Sequence, residues 1–589
     1  MNHPSTFYKQ QLEKHQQDLK KFNKKLIGMS SLRLLIFLLV FAGIYVTFNM
    51  WQVALGIGII GVTIFIFLLS KYTDIKRLRD VSKALVAINE EEIKIASGDF
   101  HHRDTGEQFQ DPLHYYSLDI DLFGRGSFFQ FINRTTINEG AETLAKALIA
   151  NVIDEIELKQ KAVKELADKP EWRQQYSAFA TLIEAETPAV KIIKWLNSHE
   201  VFLPKIMTWL PKVFSLASIV VVALGIFKII SLGFVGYWLL LGLIITGLYL
   251  KKINILASHT DKVRDTFRQY ALLLKQIENE TFSSELLKNK QAYIQQEHKK
   301  ASDIFSKFSK HLDALDNRNN MISAIFGNGF FLSDLKNTYN IEQWISQYKT
   351  TVFHWFEVVS FFEAYNSLGN YAFNHPEYVF PEIVATKTVI EAVDLGHPLL
   401  DKNKRVASNL EIHNQEFFIV TGANMAGKST FLRTVSLHII MANTGLPVCA
   451  TSSKYAPVKL VTSMRTSDSL TDDSSYFFSE LTRLKFIVDE IAKDSYFIIL
   501  DEILKGTNST DKAIGSRKFV EKLVAGNATG IIATHDLSLC EISKELSEVK
   551  NHFFDAQIIN DELFFDYKFK DGICQNMNAS FLLKKMEII

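Results

Sequence analysis

The sequence predicts a chain of two parts, in which a helical region with membrane-spanning segments precedes an α/β domain built on a parallel sheet. Three observations carry this prediction. Two long apolar runs lie in the first half of the chain, and apolar residues at helical spacing dominate up to about residue 390. After residue 390, short β-rich runs alternate with helical ones. The length of 589 residues allows roughly three to four domain-sized units.

The composition excludes two classes of protein. A hydrophobic fraction of 47% and a net charge of zero are incompatible with a disordered chain. The three cysteines, Cys449, Cys540 and Cys574, are too few for a disulfide scaffold and lack metal-ligand spacing, which favours a reducing compartment. The zero net charge is an average, because residues 391–589 hold 22 Lys/Arg against 26 Asp/Glu and the first 390 residues hold 43 against 39.

The first apolar run extends from Leu34 to Ser70 without a charged residue, and the second, Val213 to Leu250, contains only Lys228. A spanning helix needs about 20 residues, so each run fits two helices. We expect one hairpin over 34–70 that turns near Asn49 to Gln52, and another over 213–250 that turns around Lys228 to Gly236.

Lys and Arg residues flank both runs, which predicts a membrane protein with four transmembrane helices and both ends in the cytoplasm. The alternative is that the runs are helix pairs buried in a soluble core. A cleaved signal peptide is disfavoured, because the first run starts late and is too long.

The remaining first half is predicted to be mostly helical. Residues 76–98 have the pattern of an amphipathic helix that ends near Gly98. Residues 251–320 hold 13 Lys/Arg and 9 Asp/Glu, a net charge of +4. This segment could contact phosphate groups, although a solvated helix face is the simpler interpretation.

The α/β part contains a phosphate-loop pattern. A strand at 416–420 precedes Gly422, Gly427, Lys428 and Ser429, which fit G-x-x-x-x-G-K-[ST], and a helical run follows. In this context, backbone N–H groups and the helix N-terminus would surround phosphates. Lys428 would reach the β- and γ-phosphates, and the Ser429 hydroxyl would bind Mg²⁺. The pattern therefore predicts a P-loop NTPase that uses ATP and Mg²⁺.

Three polar residues follow the next two predicted strands. Tyr496 to Leu500 ends in Asp501 and Glu502, and the strand within GIIATHD ends in His535. We expect Asp501 to hold Mg²⁺ through water and Glu502 to polarise the attacking water as the catalytic base. His535 would hydrogen-bond the γ-phosphate or that water.

These motifs resemble the MutS family of ABC-type ATPases. The loop is similar to the family's G-P-N-M-G-G-K-S-T, with Ala423 and Ala426 as small departures. Residues 499–515 and the T-H-D at 534–536 resemble the family's Walker B, D-loop and switch-histidine segments. Gly396-His397-Pro398 resembles the element that opens the ATPase domain. The resemblance implies that the nucleotide lies against Gly422, Ala423, Asn424, Met425, Ala426, Gly427, Lys428, Ser429 and Thr430.

The resemblance also implies a partner and a domain plan. Ser475-Tyr-Phe-Phe-Ser-Glu480 is similar to the signature S-T-F-x-x-E, so Ser475 would contact the γ-phosphate of a partner subunit in a homodimer. The implied domains are an N-terminal hairpin region, 1–115, a helical core and lever with the second hairpin, 116–390, and the ATPase domain, 391–589. Residues 1–116 leave no room for the mismatch-reading domain of the family's repair proteins.

Two functions of different classes follow. The first is a MutS-like ATPase that binds DNA in mismatch repair or other DNA processing. The alternative is a membrane-anchored ATPase switch that acts on a membrane or protein partner without reading DNA. A transporter is disfavoured, because four spans are few and no intramembrane carboxylate marks an ion path.

Overall fold

The structure is a computed structural model that describes residues 3–182, 187–295, 300–316, 318, 320–465, 476–559 and 562–575. It confirms the coarse prediction of a helical N-terminal region followed by an α/β domain, but both sheets of that domain are mixed and not purely parallel as predicted. Ser475, the predicted contact to a partner's nucleotide, lies outside the described residues.

Two long helices, α1 (Pro4–Val46) and α2 (Trp51–Ala96), form an antiparallel hairpin. The chain turns between them at 47–50, close to the predicted position. Both helices extend well beyond the predicted run of 34–70, because their polar ends continue the helix and pack on the rest of the protein. The predicted helix over 76–98 is the final part of α2, and Gly98 follows it with a φ of 90°.

The helical body packs against the polar ends of this hairpin. Its core is formed by aromatic and aliphatic side chains, among them Phe267, Phe305 and Phe308. Its helices are α3 (Phe128–Ile132), α4 (Asn138–Ile149), α5 (Ile156–Ala167), α6 (Pro170–Ala180), α7 (Ala189–Ser198), α10 (Leu250–Asn279), α11 (Glu285–Ala292), α12 (Ala301–Asp316), α14 (Ser333–Tyr348) and α15 (Val352–Asn374).

The second apolar run forms two short helices, α8 (Leu210–Ile226) and α9 (Leu232–Gly247), which are joined near the predicted turn. By length and composition, the described residues contain two helices able to cross a membrane, α1 and α2. A third would be added if α9 and the bent continuation Leu250–Thr260 were one span. The prediction of four spanning helices is therefore not supported.

An apolar helix that the sequence analysis missed, α13 (Met321–Phe331), packs against α8 and α9. Glycines allow this close approach, because a Cβ on Gly242 would lie 2.2 Å from the Gly329 carbonyl oxygen. Met321 and Ile322 remain exposed on its outer face. The second apolar unit is thus three short helices rather than a simple hairpin.

The C-terminal part contains two sheets. A four-stranded sheet has the order β1-β5-β2-β3, and a six-stranded sheet has the order β10-β9-β4-β8-β7-β6, parallel except for β10. The strands are β1 (Glu382–Ile383), β2 (Thr388–Leu395), β3 (Ser408–His413), β4 (Phe417–Gly422), β5 (Ser452–Tyr455), β6 (Lys459–Ser463), β7 (Tyr496–Asp501), β8 (Thr529–Ala533), β9 (Val549–Ile559) and β10 (Glu562–Asp571). The associated helices are α16 (Lys428–Asn443), α17 (Tyr476–Ile491) and α18 (Ser509–Ala525).

The helical segment around residues 115–150 packs directly on this α/β part. One apolar core joins side chains of 116–163 and 364–372 to those of both sheets. Polar contacts reinforce the junction, since the Tyr115 hydroxyl donates to Glu490 at 2.9 Å and Thr462 donates to Asp119 at 2.5 Å. Movement in the α/β part can therefore be transmitted to the helical body through a packed interface.

The α1–α2 hairpin is fixed to the body by a buried carboxylate. Glu92, on α2, is 4% exposed and pairs with Arg134 at 2.6 Å. Asn370 and Asn374 of α15 donate to the same carboxylate at 3.0 and 3.1 Å. Burial opposes ionisation of Glu92, but the charge and hydrogen bonds of Arg134 prevail and lower its pKa.

We expect Glu92→Gln to destabilise this junction, because Arg134 would keep a buried charge without a counter-ion. The expected loss is about 3 kcal/mol. The exposed neighbour Glu90 provides the control, and Glu90→Gln should leave stability unchanged within about 0.5 kcal/mol. Thermal unfolding of the full chain in detergent measures both variants. Equal melting temperatures for the two would contradict an anchoring role for Glu92.

Candidate functional site

The predicted phosphate loop lies between β4 and α16. Strand β4 is wholly buried between β8 and β9, so its carboxyl end is held rigidly in the sheet. Gly422 is needed there, because a Cβ would lie 2.8 Å from the Phe554 carbonyl oxygen. Gly427 has a φ of 104° and precedes the first turn of α16, a conformation that favours glycine. The loop thus leads into a helix N-terminus, as the motif predicts.

Lys428 points back over this loop. Its side chain is buried, and Nζ donates to the carbonyl oxygens of Gly422 at 2.8 Å and Ala423 at 3.0 Å. Burial lowers the pKa of Lys428, while Asp501 and Glu502 oppose that shift. A cation is therefore held at the centre of the loop by two backbone carbonyls.

Ser429 and Asp501 meet although 72 positions separate them in the chain. The Ser429 hydroxyl donates to Asp501 Oδ2 at 2.6 Å. The contact follows from the strand order, because β8 lies between β4 and β7 and all three strands end at the same edge. Among the described residues, no group of three or more His, Cys, Asp or Glu side chains is arranged to hold a metal ion. A metal ion at this position would be bound by the Ser429 hydroxyl and the Asp501 carboxylate.

Glu502 follows Asp501 in a left-handed conformation with a φ of 51°. Its N–H donates to the Ala533 carbonyl oxygen at 2.9 Å, and its carboxylate pairs with Lys512 at 2.8 Å. Burial would raise the pKa of Glu502, but the hydrogen bond and charge of Lys512 lower it. Glu502 is thus an ionised carboxylate held at the edge of the site.

His535 completes the cluster from the end of β8. Its Nε2 lies 3.4 Å from Lys428 Nζ. Burial and the nearby lysine lower the pKa of His535. The ring is therefore neutral near pH 7, so one ring nitrogen can donate a hydrogen bond and the other can accept one.

These side chains line one open cavity of about 560 Å³. Among the loop residues, Ala423, Asn424, Met425, Gly427 and Thr430 also line it. Ala426, in the same loop, is wholly buried and does not line the cavity.

The cavity is also lined by residues that the sequence did not mark as part of the site. They include Leu400, Lys404, Val406, Phe554 and Tyr567, whereas His397 beside them belongs to the G-H-P element already noted. Burial lowers the pKa of His397 to about 4, with Arg433 and Arg405 contributing, so the His397 ring is neutral near pH 7. Tyr567 lies on β10, and no motif in the sequence marks it.

Comparison with known proteins identifies the α/β part. The family model "MutS domain V" matches residues 418–585. A human protein, MutS protein homolog 4, is 33% identical over 224 residues, which cover 36% of this chain and 23% of that protein. DNA mismatch repair protein MSH4 of Arabidopsis thaliana is 30% identical over 203 residues, 33% of this chain and 25% of the relative.

A bacterial relative, DNA mismatch repair protein MutS of Staphylococcus aureus, is 28% identical over 235 residues, 39% of this chain and 27% of that protein. The chain thus spans only about a quarter of the length of the curated relatives it matches. The similarity covers the region that carries the loop, the two carboxylates and His535. Residues 418–585 thus match MutS domain V, and the C-terminal part of the chain is similar to proteins of the MutS family.

Proposed function

We propose that residues 391–589 form an ABC-type P-loop ATPase domain that binds and hydrolyses ATP with Mg²⁺. The observation that carries the proposal is the 2.6 Å contact between Ser429 and Asp501, with Lys428 and His535 beside it at one sheet edge. Residues from three separate segments meet there, which supports a role in phosphoryl transfer. The cavity of about 560 Å³ lies in the usual size range of small-molecule sites.

The residues fit the phosphates and the metal ion. The N-terminus of α16 and the Lys428 ammonium favour negative charge at the loop. Mg²⁺ in nucleotide sites is held by few protein oxygens and by the phosphates, which agrees with one hydroxyl and one carboxylate. When bound, it would neutralise charge that develops on the phosphate oxygens. Lys428 would exchange its two loop carbonyls for phosphate oxygens.

Glu502 is the proposed base and His535 the residue that orients the water or the γ-phosphate. Glu502 is ionised, as a base must be, but in this structure its carboxylate is paired with Lys512. A water molecule can be polarised by Glu502 only when that carboxylate faces the site, so separation from Lys512 would accompany hydrolysis.

The proposed active unit is a homodimer that places Ser475 of one subunit against the nucleotide of the other. The support comes from the resemblance of 475–480 to the family signature and from the position of α17, which begins at Tyr476. The N-terminus of α17 in one subunit would then bind the phosphates of the nucleotide held by the other subunit.

The process that ATP hydrolysis would serve is inferred from two relatives, which are named as DNA mismatch repair proteins. We propose a role in DNA processing, with closure of the ATPase domains transmitted to the helical body, 116–390. A basic surface on α10–α12 would be the DNA contact, since residues 251–320 carry a net charge of +4.

A second function, an ATPase switch anchored in a membrane, is favoured by a different observation. Side chains in the apolar part of α1 and α2 face outward, for example Phe41 at 67% and Phe67 at 61% exposed. Arg264 and Arg268 of α10 also pair with Asp316 and Asp313, at 2.7 and 2.8 Å, which leaves less free charge for DNA. In this case α1 and α2 lie in the membrane, with α8, α9 and α13 against it, and the ATPase domain is cytoplasmic.

One preparation tests both functions: the full chain, purified in detergent, assayed for ATP hydrolysis and for duplex DNA binding. We expect hydrolysis that requires Mg²⁺ and stops when the ion is chelated. DNA processing predicts binding at low salt that weakens steeply as salt rises. Hydrolysis without any DNA binding at low salt would refute the DNA role and support the membrane switch. Absence of Mg²⁺-dependent hydrolysis would refute the ATPase assignment.

A further inference from the structure

Among the described residues, Lys512 is the only one whose side chain hydrogen-bonds to the carboxylate of Glu502, the proposed base. Its Nζ donates to Glu502 Oε1 at 2.8 Å, and the side chains of Lys512 and Glu502 are 22% and 29% exposed. Glu502 lines the cavity beside the phosphate loop, whereas Lys512 does not. The ammonium group therefore holds the carboxylate from outside the cavity in which ATP would lie.

Hydrogen bonds hold the backbone at both members of this pair. Glu502 has a φ of 51°, and its N–H donates to the Ala533 carbonyl oxygen at 2.9 Å. The Lys512 N–H donates to the Asn508 carbonyl oxygen at 2.9 Å in the first turn of α18. Asn508 caps this helix, because its side chain accepts from the Asp511 N–H at 2.9 Å. The direction of the Glu502 carboxylate therefore depends on its own side-chain torsions, and the ion pair selects one of their arrangements.

The other ionisable groups close to Glu502 line the cavity itself, from β7, α16, the segment after β7 and the segment after β8. They are Asp501, Lys428, Lys505 and His535. The Lys428 ammonium donates to two loop carbonyl oxygens, and the Asp501 carboxylate accepts from the Ser429 hydroxyl. Within the described part of the chain, none of the four groups hydrogen-bonds to the Glu502 carboxylate. Lys512 alone thus sets its orientation in this structure.

We propose that Lys512 is a positioning residue that restrains the base: it holds Glu502 in a resting orientation, and the pair must open before Glu502 can accept a proton from water. This inference rests on the proposed ATPase function. Lys512 acts only through Glu502, and both groups are partly exposed, so water can replace each partner when the pair opens. Lys512 therefore limits the fraction of protein in which the base is available.

The expected size of the restraint follows from the exposure of the pair. Removal of the Lys512 ammonium should raise the rate of ATP cleavage at about pH 8 by about two- to fivefold, the range in which partly exposed ion pairs favour the paired state. The hydrogen bond and charge of Lys512 also hold the pKa of Glu502 down. Without Lys512 this pKa rises, so a larger share of the base is protonated at low pH. The gain in rate should therefore shrink as the pH falls.

The test is single-turnover ATP hydrolysis by the full chain in detergent, started by adding Mg²⁺ to the preformed ATP complex so that product release does not limit the rate. Lys512→Met keeps the length of the side chain but removes its charge and its donors, so this variant should show the gain. Lys512→Arg can still pair with Glu502 and should stay close to the parental rate. Lys518→Met changes an exposed lysine of the same helix and is the matched control, with the parental rate expected.

A second background shows whether the effect passes through Glu502. In Glu502→Gln protein, Lys512→Met should give no gain, because no carboxylate is released. If the parent hydrolyses ATP and Lys512→Met is equal or slower, the restraint is refuted while the ATPase assignment stands. A gain that persists with Glu502→Gln, or that does not shrink at lower pH, refutes the restraint in the same way. Absence of Mg²⁺-dependent hydrolysis in the parent and in Lys512→Met alike would refute the ATPase assignment, and the restraint with it.

Discussion

Glu502→Gln should reduce ATP turnover by about 10²- to 10⁴-fold while ATP still binds. Glutamine keeps the size of the side chain and its ability to accept a hydrogen bond, but it cannot take a proton from the attacking water. The Ser429–Asp501 contact and the Lys428 contacts do not involve Glu502, so the nucleotide should remain bound. Steady-state hydrolysis and equilibrium nucleotide binding by the full chain in detergent measure the two properties separately.

A matched control for this variant is Glu541→Gln, since Glu541 is an exposed carboxylate in the same domain, paired with Lys544. Its turnover should equal that of the parent. If Glu502→Gln retained normal turnover, another group would have to be the base. If it lost nucleotide binding as well, Glu502 would be a binding or structural residue instead.

Lys428→Ala should weaken ATP binding by roughly 10- to 100-fold. The Lys428 ammonium is the cation held over the loop by the carbonyls of Gly422 and Ala423. Without it, the phosphates lose a charge-assisted hydrogen bond and the loop loses the group that links its two ends. Hydrolysis should fall in parallel, because less enzyme carries nucleotide at a given ATP concentration.

Titration with a fluorescent ATP analogue measures this affinity. Lys518→Ala serves as the control, since Lys518 is an exposed lysine of α18 in the same domain. Its affinity should match that of the parent. An unchanged affinity in Lys428→Ala would show that the cavity beside the loop is not the nucleotide site.

The core of the candidate site could be predicted because its signals are local. Gly422, Gly427 and Lys428 lie within one strand–loop–helix unit, and the conformation that they require is set by short-range backbone geometry. Asp501 and His535 could be added because each follows a buried strand, and parallel strands bring their carboxyl ends to one edge.

Residues that reach the site from elsewhere could not be predicted in the same way. Lys512 pairs with Glu502 from the first turn of α18, and Tyr567 arrives on the antiparallel strand β10. Neither belongs to a periodic or spaced pattern in the sequence. Their positions depend on how the chain returns to the sheet after several intervening elements.

The apolar helices show a similar limit. The uncharged run at 34–70 indicated a hairpin, but the length of α1 and α2 depends on polar ends that pack on the body through contacts such as that between Tyr8 and Asn374. The third apolar helix, α13, is only 11 residues long, too short to be recognised by length and composition. Its position depends on packing against α8 and α9, including the close approach of Gly242 and Gly329.

ATP hydrolysis at this site is tested most directly by identifying the nucleotide that stays bound to the Glu502→Gln protein. The full chain is incubated with Mg²⁺ and ATP, separated from free nucleotide by gel filtration and denatured, and the released nucleotide is identified by chromatography. We expect intact ATP with Glu502→Gln, ADP or little nucleotide with the parent protein, and none with Lys428→Ala. Release of ADP from Glu502→Gln at the parental level would contradict this expectation.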